Sequence, residues 1–408
     1  MGYTREAIKG ISWVSGSRVT TRILSFLKTV VLARVLTPSQ FGVFGIASLV
    51  LAFLEMLTET GINVLLVQSK KNIADYINSA WVVSIIRGLV IGLAMFASAP
   101  FIASFFHSSA SYGILLLTAT IPIVRGFINP AEATMQKELR FHYEFWFKTS
   151  IFFLDASLSL VLSLLTHSVY SLVWGILAGA ILEVILSFVL LTPRPRFIIE
   201  KNYFSEVFHK GKWITAYGLL NYMAENGDNV AVGKIMSASS LGLYQMAYKI
   251  SILPISEISD VVSRVAFPVY TKISDDRKRL RSAFLKTISL VTVCSAILGL
   301  VIFLFPSEII TIILGKKWLA AAPALRVLSI YGVLRTISGP ASALFLSVGK
   351  QNYVTAMTFV RFFGLLLTIY PLVVMYGLIG AGYSALLSVI IEIPFILYFF
   401  KKVFKESS

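Results

Sequence analysis

Residues 32–44 of this chain, LARVLTPSQFGVF, come back two hundred residues later as VGKIMSASSLGLY at 232–244. Arg34 falls on Lys234, Phe41 on Leu241, Gly42 on Gly242 and Phe44 on Tyr244. Upstream, Lys9, Gly10 and Trp13 are echoed by Lys210, Gly211 and Trp213; downstream, Arg125 and Pro130 are echoed by Arg335 and Pro340. A chain duplicated in this way has to build two similar units. Its residues are 57% hydrophobic and 14% charged, against roughly 25% charged in an ordinary soluble domain. A soluble fold of this size could not hide so much apolar surface, so the units belong in a membrane. Internal repeats in a membrane chain point to a two-lobed transporter with its substrate near the bilayer midplane.

Apolar runs of about 20 residues suffice to cross a bilayer. Twelve are predicted, near 11–35, 41–66, 78–105, 112–134, 145–166, 170–191, 212–235, 241–267, 285–305, 322–347, 352–375 and 379–400. The expected fold is therefore all-α, an integral membrane protein of twelve transmembrane helices in two six-helix lobes. Residues 1–200 would form the N-lobe and 201–408 the C-lobe, with the boundary at the proline-broken stretch 191–212. Six spans is an even number, so the second lobe enters the membrane in the same sense as the first and the repeats are parallel.

Most of the 36 Lys and Arg fall on loops of the N-terminal side, and only Arg34, Lys234, Lys316 and Lys317 fall on the opposite one. By the positive-inside rule this places both termini in the cytoplasm. The net charge of +16 is thus a topology signal, not a nucleic-acid footprint, and anionic membrane lipids are the one partner it implies. The polar start MGYTREAIKG lacks a signal-peptide pattern, so the first apolar run is expected to stay in the membrane. Cys294 is the only cysteine and cannot form an internal disulfide. No Cys/His spacing suits a metal and no G-x-x-x-x-G-K-[ST] loop is present, so neither a cofactor nor direct use of ATP is expected.

About twenty ionisable residues fall within the predicted spans. Each would cost about 2.5–3.5 kcal/mol at the bilayer centre if it faced lipid, so they must face one another or a wet cavity. The first span carries Arg18, Arg22 and Lys28 on one face and no acid of its own. The second offers Glu55 and Glu59, the seventh Glu225 and Asp228, the eighth Lys249, Glu257, Asp260 and Arg264. Arg18 and Arg22 therefore have two readings: salt bridges to Glu55 and Glu59, or snorkelling of Arg18 to the inner interface, on one side, and an electropositive cavity wall on the other. Arg87, Arg264, Arg326 and Arg361 lie nearer span ends, where snorkelling is expected. Arg125 and Arg335 recur at equivalent positions, which fits a shared structural role as well as a shared ligand. Asp155, Glu183 and Glu392 are expected in structural pairs.

A basic cavity in a membrane calls for an anion, and the guanidinium fork matches phosphate oxygens bidentately. The candidate substrate set is Arg18, Arg22, Lys28, Lys249, Arg125 and Arg335, holding a lipid-borne diphosphate. The candidate ion-coupling set is Asp228, Glu225, Glu55 and Glu59, exchanging H⁺ or Na⁺. Lys28 and Asp228 fall on each other in the repeat, a cation in one half and an acid in the other.

Several strings also resemble a known family. These are LARVLTPSQFGVF, TETGINVLLVQ (58–68), MQKELRF (135–141), NGDNVAVGKIMSASSLGLYQMAYKISILP (226–254), VAFPVYTKI (265–273) and the pattern LGKKW…P…GP (314–340). In order and spacing they resemble the polysaccharide-transporter branch, with its Wzx-like oligosaccharide flippases, of the multidrug/oligosaccharidyl-lipid/polysaccharide exporter superfamily. The resemblance implies alternating-access flipping of undecaprenyl-diphosphate-linked oligosaccharide from the cytoplasmic to the outer leaflet of a bacterial inner membrane. It implies partners among the polymerase and glycosyltransferases of the same pathway. Asp228 falls on an acidic position such relatives often carry, while Glu59 stands where they often have Asp before Gly. Two rivals remain. A polymerase or ligase acting on the same lipid-linked sugars would need catalytic side chains in a sizeable outer loop. A drug exporter of the same superfamily would prefer an acidic cavity.

Overall fold

The computed structural model describes residues 2–58, 77–138, 140–198 and 201–405, and every regular element among them is helical. Seven of these helices are long and apolar enough to cross a membrane. The chain forms two compact units, Met1–Leu219 and Leu220–Ser408, each taken here by itself.

The first unit opens with α1 (Gly2–Val35) and α2 (Pro38–Leu57). The recurring string is the joint between them. Thr37 caps α2: its hydroxyl accepts from the Gln40 amide at 3.3 Å, and the Gln40 side chain accepts from the Thr37 amide at 2.8 Å. This capping box satisfies two backbone donors that the helix cannot satisfy itself, and Pro38 follows at a position where its missing N–H costs nothing. Next come α3 (Ile77–Phe105), the short α4 (Ala110–Thr118), α5 (Thr120–Gly126) and α6 (Glu132–Lys137), then α7 (Phe141–Thr166) and α8 (Tyr170–Leu190).

The second unit receives the end of α9 (Lys201–Ile235) and continues with α10 (Ala238–Lys272) and α11 (Arg277–Leu304). Ser237 caps α10 by accepting from the Ser240 amide at 3.2 Å. The repeat thus preserves the cap in chemistry where it changes in letters. Leu241 and Tyr244 then face the core, as Phe41 does in the first unit. The rest is α12 (Pro306–Ile313), a 3₁₀ turn (Lys316–Ala321), α13 (Ala322–Arg335), α14 (Ser338–Ser347) and α15 (Gln351–Lys405). α15 is two helices run together. Gly377, at φ +59°, breaks it with a conformation open chiefly to glycine, between the two spans expected there. A core of Tyr270, Leu280, Phe284, Phe345, Tyr353 and Val403 closes one end of this unit.

Two predicted spans are not continuous. Residues 112–134 break into α4, α5 and α6, and 322–347 into α13 and α14. The α5–α6 and α13–α14 breaks each come after an arginine in a last helical turn, Arg125 in α5 and Arg335 in α13. The backbone then tightens to i→i+3 bonds: Phe127 to Val124 and Ile128 to Arg125, both 3.1 Å, matched by Thr336 to Val333 at 3.3 Å and Ile337 to Leu334 at 3.2 Å. In the first unit Pro130 also holds the preceding residue out of the α region. That residue, Asn129, is fully buried and pinned: its amide donates to Ser187 Oγ (3.0 Å), its Nδ2 to the carbonyls of Ser187 (3.3 Å) and Pro193 (3.2 Å), and its Oδ1 accepts from the Ala131 amide (2.9 Å).

Candidate functional site

α3 and α5 cross at Gly88 and Gly126. A Cβ on Gly126 would lie 2.9 Å from the Ser84 carbonyl oxygen and 3.1 Å from the Ile85 Cα, so only glycine permits the approach. The crossing brings Arg87 and Arg125 to the wall of a cavity of about 450 Å³, which Glu55, Asn129, Glu132 and Lys148 also line. That is within the roughly 300–1,000 Å³ of small-molecule sites, but the lining is unusually charged for a helical membrane unit.

The cations differ in how they are held. Arg87 donates from Nη2 to the Glu55 carbonyl at 2.8 Å and from Nε to Thr58 Oγ1 at 3.1 Å. It thereby meets the C-terminal end of α2, where carbonyls lack helical partners and the dipole is negative. This corrects the snorkelling expected of it: the span end it serves belongs to another helix. Arg326 does likewise at the end of α11, donating to the Phe303 carbonyl at 3.2 Å. Lys148 pairs with Glu132 and, at 3.0 Å, with Glu183. Arg125 is exposed on the cavity and, among the described residues, its side chain makes no hydrogen bond or ion pair.

The second unit holds the counterpart cluster. Arg335 Nη2 lies 3.6 Å from Glu225 Oε1, and the Tyr248 and Tyr331 hydroxyls are 3.4 Å apart. Asp228 is buried; its Oδ2 accepts from the Tyr244 hydroxyl at 2.8 Å, and its Oδ1 from the Asn229 amide at 2.7 Å and side chain at 3.0 Å. Among the described residues no cation pairs with it. Arg361 was expected to snorkel; instead it is 4% exposed and faces Glu392, 1% exposed, at 3.9 Å. The reason is that α15 turns back at Gly377 and sets its two halves side by side.

The remaining candidates are spread out. Lys28 Nζ bonds Asp155 Oδ1 at 2.6 Å, joining α1 to α7. The first span is therefore not basic without compensation, since its acid comes from a helix 127 residues away. Arg22 is exposed on α1, and Lys249 is half-buried on α10. The Arg18 side chain and all of Glu59 lie outside the described residues. Of the expected substrate set, the cavity gathers Arg125 alone, together with Glu55 from the expected ion set. Arg87, Asn129, Glu132 and Lys148 were not singled out for the site. The spacing of Lys148 and Glu183 carries no local signal, and Asn129 next to Pro130 was the one visible hint of a built break.

A family model described as polysaccharide biosynthesis protein matches residues 31–323. A membrane protein in the cps region of Klebsiella pneumoniae is 26% identical over 98% of this chain and 83% of its own length. The lipopolysaccharide biosynthesis protein WzxC of Escherichia coli K12 is 25% identical over 86% of this chain and 72% of its own. Among solved structures, the lipid II flippase MurJ in an inward closed conformation aligns with a TM-score of 0.80 at 15% identity, over 97% of this chain and 89% of that one. At that identity the likeness is one of fold.

Proposed function

The chain belongs to the polysaccharide biosynthesis protein family, a multi-pass membrane branch of the exporter superfamily, and on that premise we propose that it flips diphosphate-linked oligosaccharide across a bacterial inner membrane. The substrate would be an undecaprenyl-diphosphate-linked repeat unit moving from the cytoplasmic to the outer leaflet, with both termini of the chain cytoplasmic and twelve spans in two parallel lobes. A relative named for lipopolysaccharide biosynthesis and a fold shared with a lipid II flippase support the reading.

One observation carries it: a charged cavity of about 450 Å³ inside an apolar helical unit. Such groups persist in a bilayer by meeting one another or a wet interior, and a wet charged interior is where a polar guest fits. A saccharide headgroup suits the mixture, with hydroxyls for the carboxylates of Glu55 and Glu132 and phosphate for the arginines. Exposed guanidinium groups disfavour the organic cations of a drug exporter. Translocation needs binding and release but no bond made or broken, so the chain acts as a transporter and not an enzyme.

The driving force in this proposal is H⁺ or Na⁺ moving the other way through Asp228. Support comes from its burial without a cation and from the neighbouring Asn229 Oδ1, buried without a hydrogen-bond partner. Glu225 is engaged with Arg335 and is the weaker candidate. In vesicles containing the purified chain, an imposed ion gradient should speed movement of the lipid-linked sugar. The Asp228→Asn protein should still move it but lose that stimulation. Equal stimulation of both would remove Asp228 from the coupling.

A further inference from the structure

The two halves of this protein carry the same arginine in two different states. Arg125 and Arg335 each end a helix, each precede a tightened turn, and each stand five residues before a proline. Beyond them the halves also correspond. Lys148 and Glu183 pair in the first unit, Arg361 and Glu392 face each other in the second. At the register set by Arg125 and Arg335, Glu183 falls one residue from Glu392 and Lys148 one helical turn from Arg361. Each fourth-span arginine is thus set beside a fifth- and sixth-span ion pair.

At the arginine itself the halves differ in one acid. In the second unit Glu225 reaches the Arg335 guanidinium at 3.6 Å. In the register that aligns Lys28 with Asp228, Glu225 falls on Ser25, which has no charge. Arg125 accordingly stands open on the cavity, its side chain without a hydrogen bond or ion pair among the described residues. Neither Glu55 nor Glu132 substitutes: Glu132 is taken up by Lys148, and Glu55 lies beyond ion-pair distance of Arg125. An unpaired guanidinium inside a membrane unit needs a wet cavity, and there it is free to take an anion.

We propose that Arg125 is an oxyanion subsite, and that the substrate supplies to the first unit the carboxylate-like partner that Glu225 supplies within the second. The ligand chemistry is an oxyanion next to hydroxyls, from the diphosphate linkage or from an acidic sugar. Arg87, tied to the end of α2, gives the cavity a fixed positive wall beside it, and Asn129 fixes the turn that aims α5. The identity of the ligand rests on the flippase reading; the existence of the subsite does not.

The test uses the purified full chain in lipid nanodiscs, titrated calorimetrically with inorganic diphosphate and, separately, with glucuronate. The wild type should bind at least one of them, and the one bound tells whether the linkage or an acidic sugar is the source. Arg125→Ala should weaken that binding by about tenfold or more, as loss of a charge-assisted bond would. Arg125→Lys, which keeps the charge and the fold but loses the fork, should fall between. Binding of neither probe by the wild type would overturn the proposal. So would wild-type affinity in Arg125→Lys together with Arg125→Ala, or in Arg125→Gln should the Ala variant fail to fold. Transport separates the two readings. Wild-type transport that survives in Arg125→Ala ends the subsite and leaves the flippase. Diphosphate binding that depends on Arg125, in a chain that moves no lipid-linked sugar, ends the flippase and leaves the subsite.

Discussion

At the scale of single residues, the membrane decides what each charge is doing, and partners were the part that sequence could not supply. Lys28 shows why. Its helix has no acid, yet Asp155 meets it at 2.6 Å from α7. Nothing local to either residue announces that meeting, because it depends on how two helices pack. Arg87 and Arg361 teach the same lesson from the other side. Both lie where a long side chain could reach water, and both instead serve another segment of chain. The Lys28–Asp155 pair is mostly shielded from solvent, so removing one member strands the other. Lys28→Ala or Asp155→Ala should each lower stability by about 3–5 kcal/mol, while Lys28→Met combined with Asp155→Leu should recover most of it. Thermal unfolding in detergent measures this. Single variants as stable as the wild type would mean the pair is hydrated and contributes little.

At the scale of elements, the helices themselves were legible. Apolar length found α3, α7 and α8 to within a few residues of their ends, whereas α11 runs eight residues further into its basic start and α2 ends at Leu57, nine residues before its expected end. The recurring string marked two helix caps through Thr37 and Ser237. The breaks in the fourth and tenth spans were hinted at by Pro130 and Pro340 but hidden from hydropathy, which is blind to a turn whose backbone bonds stay satisfied. The charged cavity depends on the first of these breaks and on the close crossing beside it. A Cβ at Gly126 would press on the α3 backbone at Ser84 and Ile85, and Gly88 has the reciprocal problem with the Pro122 carbonyl. Gly88→Leu should therefore cost about 1–3 kcal/mol through overpacking and reduce diphosphate binding by spreading α3 from α5. Trp81, which donates to the Phe127 carbonyl at 3.0 Å, offers a fluorescence reporter of that spreading. A Gly88→Leu protein with unchanged stability and unchanged Trp81 emission would show that the crossing is looser than the structure has it.

At the scale of the whole molecule, duplication and an apolar composition were enough to indicate an all-helical membrane transporter, and family membership bears out that much. The substrate, the direction of movement and the coupling ion go further and are proposals, of which the charged interior supports the first. Two similar units, one with its fourth-span arginine satisfied internally and one with it open, make the protein chemically lopsided in a way a passive scaffold has no use for. The most direct test of a flippase is movement of the headgroup itself. The purified chain is reconstituted into vesicles whose lipid-linked oligosaccharide has been oxidised by membrane-impermeant periodate in the outer leaflet, leaving only inner-leaflet sugar intact. A second periodate treatment should then consume intact sugar at a rate proportional to the amount of protein, while protein-free vesicles keep it. If vesicles with folded protein protect their inner-leaflet sugar as fully as empty ones, with and without an ion gradient, the chain is not a flippase for this class of lipid.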